Sequence, residues 1–104
     1  MKSDGLPTGK AKELTNQLQK KIKEALTPYR FKERITAMMY EEATATVLKV
    51  IDEHLSPHME LKASDLAQLN LQVYTVDGDP KNLRINVDTM AMMRLLLIAG
   101  KEKE

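Results

Sequence analysis

Apolar residues recur with helical spacing through the first half of the chain. In residues 10–26 they are separated by three or four positions, at Ala11, Leu14, Leu18, Ile22 and Ala25, which is the spacing of an amphipathic helix. Thr27 and Pro28 follow, and threonine at the N-cap with proline in the first turn favours a helix start. We therefore predict a second amphipathic helix over residues 28–55, joined to the first at a sharp kink and ended by Ser56-Pro57.

The apolar pattern changes to a period of two after Pro57. Residues 69–75 and 83–87 alternate apolar and polar side chains, and residues 77–80 (Asp-Gly-Asp-Pro) are typical of a turn. This pattern predicts a β-hairpin with one apolar face. Residues 59–63 alternate more briefly, so the sheet has two or three antiparallel strands. The predicted fold class is α+β.

The last segment is the most apolar of the chain. Nine of the eleven residues from Thr89 to Ala99 are apolar, with Asp88 placed as an N-cap and Gly100 as a terminator. We predict an apolar C-terminal helix over residues 88–100. A helix that is apolar on all sides must be covered on all sides, by the fold or by a second subunit. Truncation of Leu96 or Ile98 to alanine is therefore expected to cost about 2–5 kcal/mol.

The length of 104 residues corresponds to one small domain. We expect a flexible leader over residues 1–9, a single α+β domain over residues 10–100 and a charged tail over residues 101–104. The chain contains no cysteine, and its first ten residues lack the apolar core of a secretory signal. It also lacks the run of about 20 apolar residues that crosses a bilayer. These features predict a cytoplasmic protein without a membrane segment.

Charge is distributed unevenly, although the formal net charge is only +1. Residues 1–34 carry +5, residues 35–80 carry −6 and residues 81–104 carry +2. The basic face of the first helix and the start of the predicted second helix form a candidate phosphate-binding surface comprising Lys12, Lys20, Lys23, Arg30 and Arg34. Aromatic residues that stack on bases are scarce, and a solvated charged face is the simpler interpretation.

No motif in the chain indicates catalysis or a cofactor. Residues 5–10 resemble a phosphate-binding loop only superficially, because the glycine spacing is short and Ala11 replaces the metal-binding hydroxyl. His54 and His58 have a chelating separation, but Pro57 lies between them and should break the helix. The polar residues at 77–82 are explained by a hairpin turn. We therefore predict a protein that is not an enzyme and binds no metal or cofactor.

The remaining hypothesis is a small protein-interaction module, such as an adaptor, an inhibitor or a regulatory subunit. We expect it to bind another protein and to form a homodimer, because the apolar residues are concentrated on two helices and methionine-rich surfaces adapt to partners. The candidate interface residues are Met38, Met39, Val47, Ile51, Met92, Met93 and Leu96. Simple core filling is the competing interpretation of this set. The alternative function is a nucleic-acid-binding regulator that uses the basic face.

Overall fold

The computed structural model describes residues 7–101 of the chain, with side chains from residue 9 onward. It confirms the α+β class, with four α-helices, one two-stranded antiparallel sheet and a 3-10 turn at Pro80–Asn82. The elements are α1 (Pro7–Arg30), α2 (Ala37–Leu55), α3 (Ala63–Ala67), β1 (Gln72–Thr75), β2 (Leu83–Asn86) and α4 (Thr89–Lys101). Within this range no helix is both long enough and apolar enough to cross a membrane.

The core is built around α1, which packs against both α2 and α4. Its buried stripe consists of Ala11, Leu14, Leu18, Ile22 and Leu26, close to the predicted set. Helix α2, the hairpin and α4 contribute Ala43, Val47, Ile51, Leu55, Val73, Leu83, Leu95, Leu96 and Ala99, and the loop between α3 and β1 contributes Leu69 and Leu71. The buried hydrophobic side chains are all aliphatic, and His54 is the one buried polar side chain among the described residues. The core therefore depends mainly on hydrophobic burial.

The hairpin forms where the alternating pattern predicts it, but its strands are shorter. Val73 pairs with Ile85 and Thr75 with Leu83, and these residues line the inner face of the sheet. Asp77 and Gly78 adopt positive φ angles of 59° and 70° at the turn. The optional strand over residues 59–63 is absent from the described part of the chain, because its last residue begins α3 instead.

The junction between the first two helices differs from the prediction. Helix α1 continues through Pro28 to Arg30, and the Thr27 hydroxyl donates to the Lys23 carbonyl at 2.9 Å. Pro28 cannot donate to the Glu24 carbonyl, so the helix loses one hydrogen bond there, and it ends two residues later at Arg30. The N-cap of α2 is instead Thr36, whose hydroxyl oxygen accepts from Met39 N at 3.2 Å.

Helix α4 is held at both ends but is not covered on all sides. The Asp88 carboxylate accepts a hydrogen bond from Ala91 N at 3.0 Å at the start of the helix. Near its end, Gly100 approaches Ala11 of α1 so closely that an added Cβ would lie 3.0 Å from Ala11 N. Met90 and Ile98 remain exposed in the single chain. Complete coverage of this helix is therefore not confirmed.

The predicted leader and tail lie mostly outside the described residues. Residues 1–6 and 102–104 are not described, whereas residues 7–9, which the prediction placed in the leader, belong to α1. Lys101 is the last residue of α4. The helical part of the chain therefore extends a few residues further at its N-terminal side than the apolar spacing indicates.

Candidate binding surfaces

The structure divides the predicted interface residues into two groups. Val47 and Ile51 are fully buried at 0% exposure, so they belong to the core of the single chain and cannot reach a partner. Leu96 is also buried, at 6%, but it lines a surface groove. The methionines remain accessible to different degrees: Met38 and Met93 are exposed, while Met39 and Met92 are half-buried. Core filling was therefore the correct interpretation for the α2 pair.

A groove with mainly apolar walls runs between α1 and α4, and we call it the apolar groove. Its volume is about 480 Å³. Helix α4 contributes Met92, Met93, Leu96 and Leu97, and the rest of the lining comprises Ala11, Lys12, Thr15, Gln19, Val87 and Thr89. Helix spacing places the four α4 residues on adjoining sides of that helix. The groove thus presents flexible thioether and leucine side chains to whatever occupies it.

A second cavity, the cationic cleft, lies between α1 and β2 and has a volume of about 350 Å³. Its lining comprises Gln19, Ile22, Lys23, Leu26, Arg30, Leu83, Arg84 and Ile85. The Arg30 Nη2 group donates to the Leu83 carbonyl oxygen at 2.9 Å, which fixes the guanidinium beside the cleft. Arg30 Nε is buried and has no hydrogen-bond partner among the described residues. The cleft is therefore lined by three cationic side chains, Lys23, Arg30 and Arg84, and by no carboxylate.

The predicted phosphate-contacting residues are only partly brought together. Lys23 and Arg30 share the cationic cleft, and Lys12 lines the apolar groove. Lys20 is exposed on α1 outside both linings, and Arg34 is exposed in the loop after α1. Arg84 joins the cleft although sequence reasoning did not select it.

The position of Arg84 on a polar strand face is readable from the period-2 pattern, but its proximity to α1 is not. Within residues 9–101 the one ion pair is Lys10–Glu13, at 3.5 Å. The cleft cations Lys23, Arg30 and Arg84 are therefore not neutralised by a salt bridge within that part of the protein. Their positive charge remains available to a ligand.

A third surface is the side of α4 that faces away from α1, which we call the outer face. Met90 is 72% exposed and Ile98 is 47% exposed on this side. Ile98 and Arg94 also line a cavity of about 450 Å³, together with Glu60 and Asp65. The outer face therefore combines exposed apolar side chains with groups of both charges.

His54 serves as a polar connection between α1 and α2. Its Nε2–H donates to the Leu14 carbonyl at 2.9 Å, and Lys21 Nζ donates to Nδ1 at 3.1 Å. Burial lowers the pKa of His54, while the hydrogen bond to Leu14 opposes this shift and the charge of Lys21 adds to it. Both ring nitrogens have protein partners, so this histidine is positioned for packing and not for chemistry.

His58, the other histidine of the predicted pair, has a buried Nδ1 without a hydrogen-bond partner in the described part of the chain. Among residues 9–101, no cluster of three or more histidine and acidic side chains is arranged to hold a metal ion. Comparison of the chain with protein-family models, with curated proteins and with solved structures finds no match. The apolar groove, the cationic cleft and the outer face are therefore the candidate functional surfaces of the described residues.

Proposed function

We propose that the protein is a non-enzymatic protein-interaction module that forms a homodimer through the outer face of α4. The observation that carries this proposal is the exposure of Met90 and Ile98 on one side of a helix. Full burial of such a side chain is worth about 1.5–3 kcal/mol. A second copy of the chain would supply the cover that the sequence pattern predicts for this helix.

The charges around the outer face favour a twofold contact. In an isologous dimer the same patch meets itself, so the patch must be complementary to its own image. Arg94 supplies a positive charge, and Glu60 and Asp65 lie across the adjoining cavity. A twofold axis between these groups would pair Arg94 of each copy with carboxylates of the other. The apolar pair Met90 and Ile98 would then lie within the contact.

Light scattering after size exclusion, over a range of protein concentrations, tests this proposal. The wild-type chain is expected to have the mass of a dimer, and the double variant Met90→Gln/Ile98→Gln that of a monomer with unchanged circular dichroism. Met38→Gln is the comparison, since Met38 is about as exposed (70%) but lies on α2 and belongs to the interface set predicted from the sequence. It should leave the dimer intact, and a monomeric Met38→Gln would place the contact on α2 instead. A monomeric wild type, or a double variant that stays dimeric, would refute dimerisation through the outer face.

The apolar groove shares no lining residue with the cavity beside the outer face. We propose this groove as the surface that binds a different protein, in keeping with an adaptor, inhibitor or regulatory subunit. A cytoplasmic location stays a prediction of the sequence.

Nucleic-acid binding is the second candidate function, and the cationic cleft is the observation that favours it. Contacts from Lys23, Arg30 and Arg84 to three phosphates would give a log–log salt dependence of about −2.7 on duplex DNA. Fluorescence anisotropy with single- and double-stranded DNA and RNA, from about 50 mM to about 200 mM salt, measures this slope. Lys23→Ala should reduce it by about 1. Binding that is absent at low salt, or insensitive to salt, rules this candidate out.

A further inference from the structure

We propose that the apolar groove and the cationic cleft together bind a single amphipathic helix of a partner protein, whose acidic residues occupy the cleft. This inference rests on the proposed function as a protein-interaction module and specifies the chemistry of the partner. It is independent of the dimer contact, because neither cavity contains Met90 or Ile98.

The two cavities are adjacent along α1. Gln19 lines both of them, with Ala11 and Lys12 in the groove on one side and Lys23 and Arg30 in the cleft on the other. Because an α-helix rises about 1.5 Å per residue, the stretch from residue 11 to residue 30 is about 28 Å long. A partner helix of about five turns, at about 5.4 Å per turn, has the same length.

The apolar end of this surface specifies one side of the partner helix. Met92, Met93, Leu96 and Leu97 form its α4 wall. Helices that bind in such grooves insert apolar side chains at positions i, i+3 or i+4 and i+7. Methionine side chains adjust to several shapes, so the groove constrains the spacing of these side chains more strongly than their identity.

The cationic end specifies the charge of the partner helix. The residues lining the groove and the cleft include four cations, Lys12, Lys23, Arg30 and Arg84, and no carboxylate. Aspartate or glutamate on the partner would neutralise this charge. Since the Leu83 carbonyl already holds the Arg30 guanidinium in place, less side-chain freedom is lost when a carboxylate binds to it.

A peptide helix fits this surface better than a nucleic acid does. A phosphate backbone could use the cations but would leave the methionine and leucine wall of the groove in contact with water. None of the residues lining either cavity is aromatic, whereas binding of single strands relies on stacking of bases on aromatic side chains. The juxtaposition of an apolar and a cationic section therefore favours an acidic amphipathic helix.

A displayed library of helical 20-residue peptides, selected on the immobilised full-length chain, tests the inference. Enriched peptides are expected to share an apolar i, i+4, i+7 stripe and a cluster of Asp and Glu at one end. A synthetic peptide with the enriched pattern should bind, and its counterpart with lysines at the acidic positions should bind about tenfold more weakly or worse.

Variants of the protein then locate the site. Arg84→Glu in the cleft and Met93→Gln in the groove should each weaken the peptide by about tenfold. Lys49→Glu makes the same charge change as Arg84→Glu on an exposed α2 position outside both cavities, and it should leave affinity unchanged. Circular dichroism of each variant confirms that it is folded.

Several outcomes overturn the inference. The first is selection of peptides that are not enriched in Asp and Glu. The second is peptide binding that is unchanged in both Arg84→Glu and Met93→Gln. The third is a single-stranded oligonucleotide that displaces the peptide and binds more tightly than it does. Light scattering tests the dimer independently of this site. A monomeric chain that selects acidic helical peptides would refute the dimer and support this site. A dimer that selects no helical peptide refutes this site alone.

Discussion

Gly100 of α4 lies against Ala11 of α1. We therefore predict that adding one methyl group at residue 100 lowers the free energy of unfolding. A Cβ at residue 100 would lie 3.0 Å from Ala11 N and 3.2 Å from Ala11 Cα. These are backbone atoms of a neighbouring helix, so rotation of a side chain cannot relieve the overlap. Gly100→Ala therefore requires the backbones of α4 and α1 to separate by a few tenths of an ångström at this contact.

Two opposing effects decide whether Gly100→Ala raises or lowers the free energy of unfolding. Replacing a helical glycine by alanine usually stabilises a protein by about 0.5–1 kcal/mol, and less so near the end of a helix such as this one. Overpacking in a close contact costs about 1–3 kcal/mol. We expect a net loss of about 1 kcal/mol, which for a domain of this size lowers Tm by about 4–8 °C.

Urea denaturation followed by far-ultraviolet circular dichroism measures the effect, at one fixed protein concentration because self-association changes apparent stability. Gly9→Ala is the matched control, since it is the same substitution in α1 and an added Cβ there has no neighbour within 4 Å. That variant should be more stable by about 0.4–1 kcal/mol. If Gly100→Ala stabilised the protein as much as Gly9→Ala, the close α1–α4 contact would be wrong.

Two further predictions concern burial and protonation. At a concentration where the chain is monomeric, Leu96→Ala should cost about 2–5 kcal/mol, whereas Ile98→Ala should cost only about 1 kcal/mol because Ile98 is half exposed. Equal losses in urea denaturation would contradict this assignment of α4 faces. Because the folded pKa of His54 lies below 6.5, the unfolded chain binds its proton first as pH falls below that value, and stability should decrease there. His54→Gln should remove this part of the pH dependence of Tm, and His58→Gln should retain it; a profile unchanged by His54→Gln would refute the assignment.

The periodicity of the sequence was sufficient for most of the secondary structure. Most of the buried stripe of α1, the hairpin and the Asp88 cap of α4 were predicted because each signal is local: a period, a cap or a turn residue near the element itself. The helix junction was mispredicted because Thr27-Pro28 is compatible with either a helix start or a last turn. Thr36 carries an equally good capping side chain, and packing of the two helices decides between them.

The candidate binding surfaces were harder to predict from the sequence than the secondary structure was. Met93, predicted as an interface residue, and Lys23, predicted as a phosphate contact, are exposed, and their roles stay predictions. Val47 and Ile51 were placed in an interface, but they are buried in the core of the single chain. A helical stripe shows which side of a helix is buried without showing whether its own chain or another one buries it. Arg84 was missed because an isolated arginine on a strand has no local pattern that distinguishes it from an ordinary exposed residue.

The sequence by itself therefore determined the α+β class, the hairpin, most of the aliphatic stripe of α1 and the absence of cysteine chemistry, because these depend on residue type and on spacing along the chain. Tertiary structure alone decided that α4 leaves Met90 and Ile98 exposed and that Arg84 meets Lys23 and Arg30. Both outcomes depend on distances between residues that are far apart in sequence. Such distances are set by the collective packing of α1 against the hairpin and α4, which no local spacing encodes.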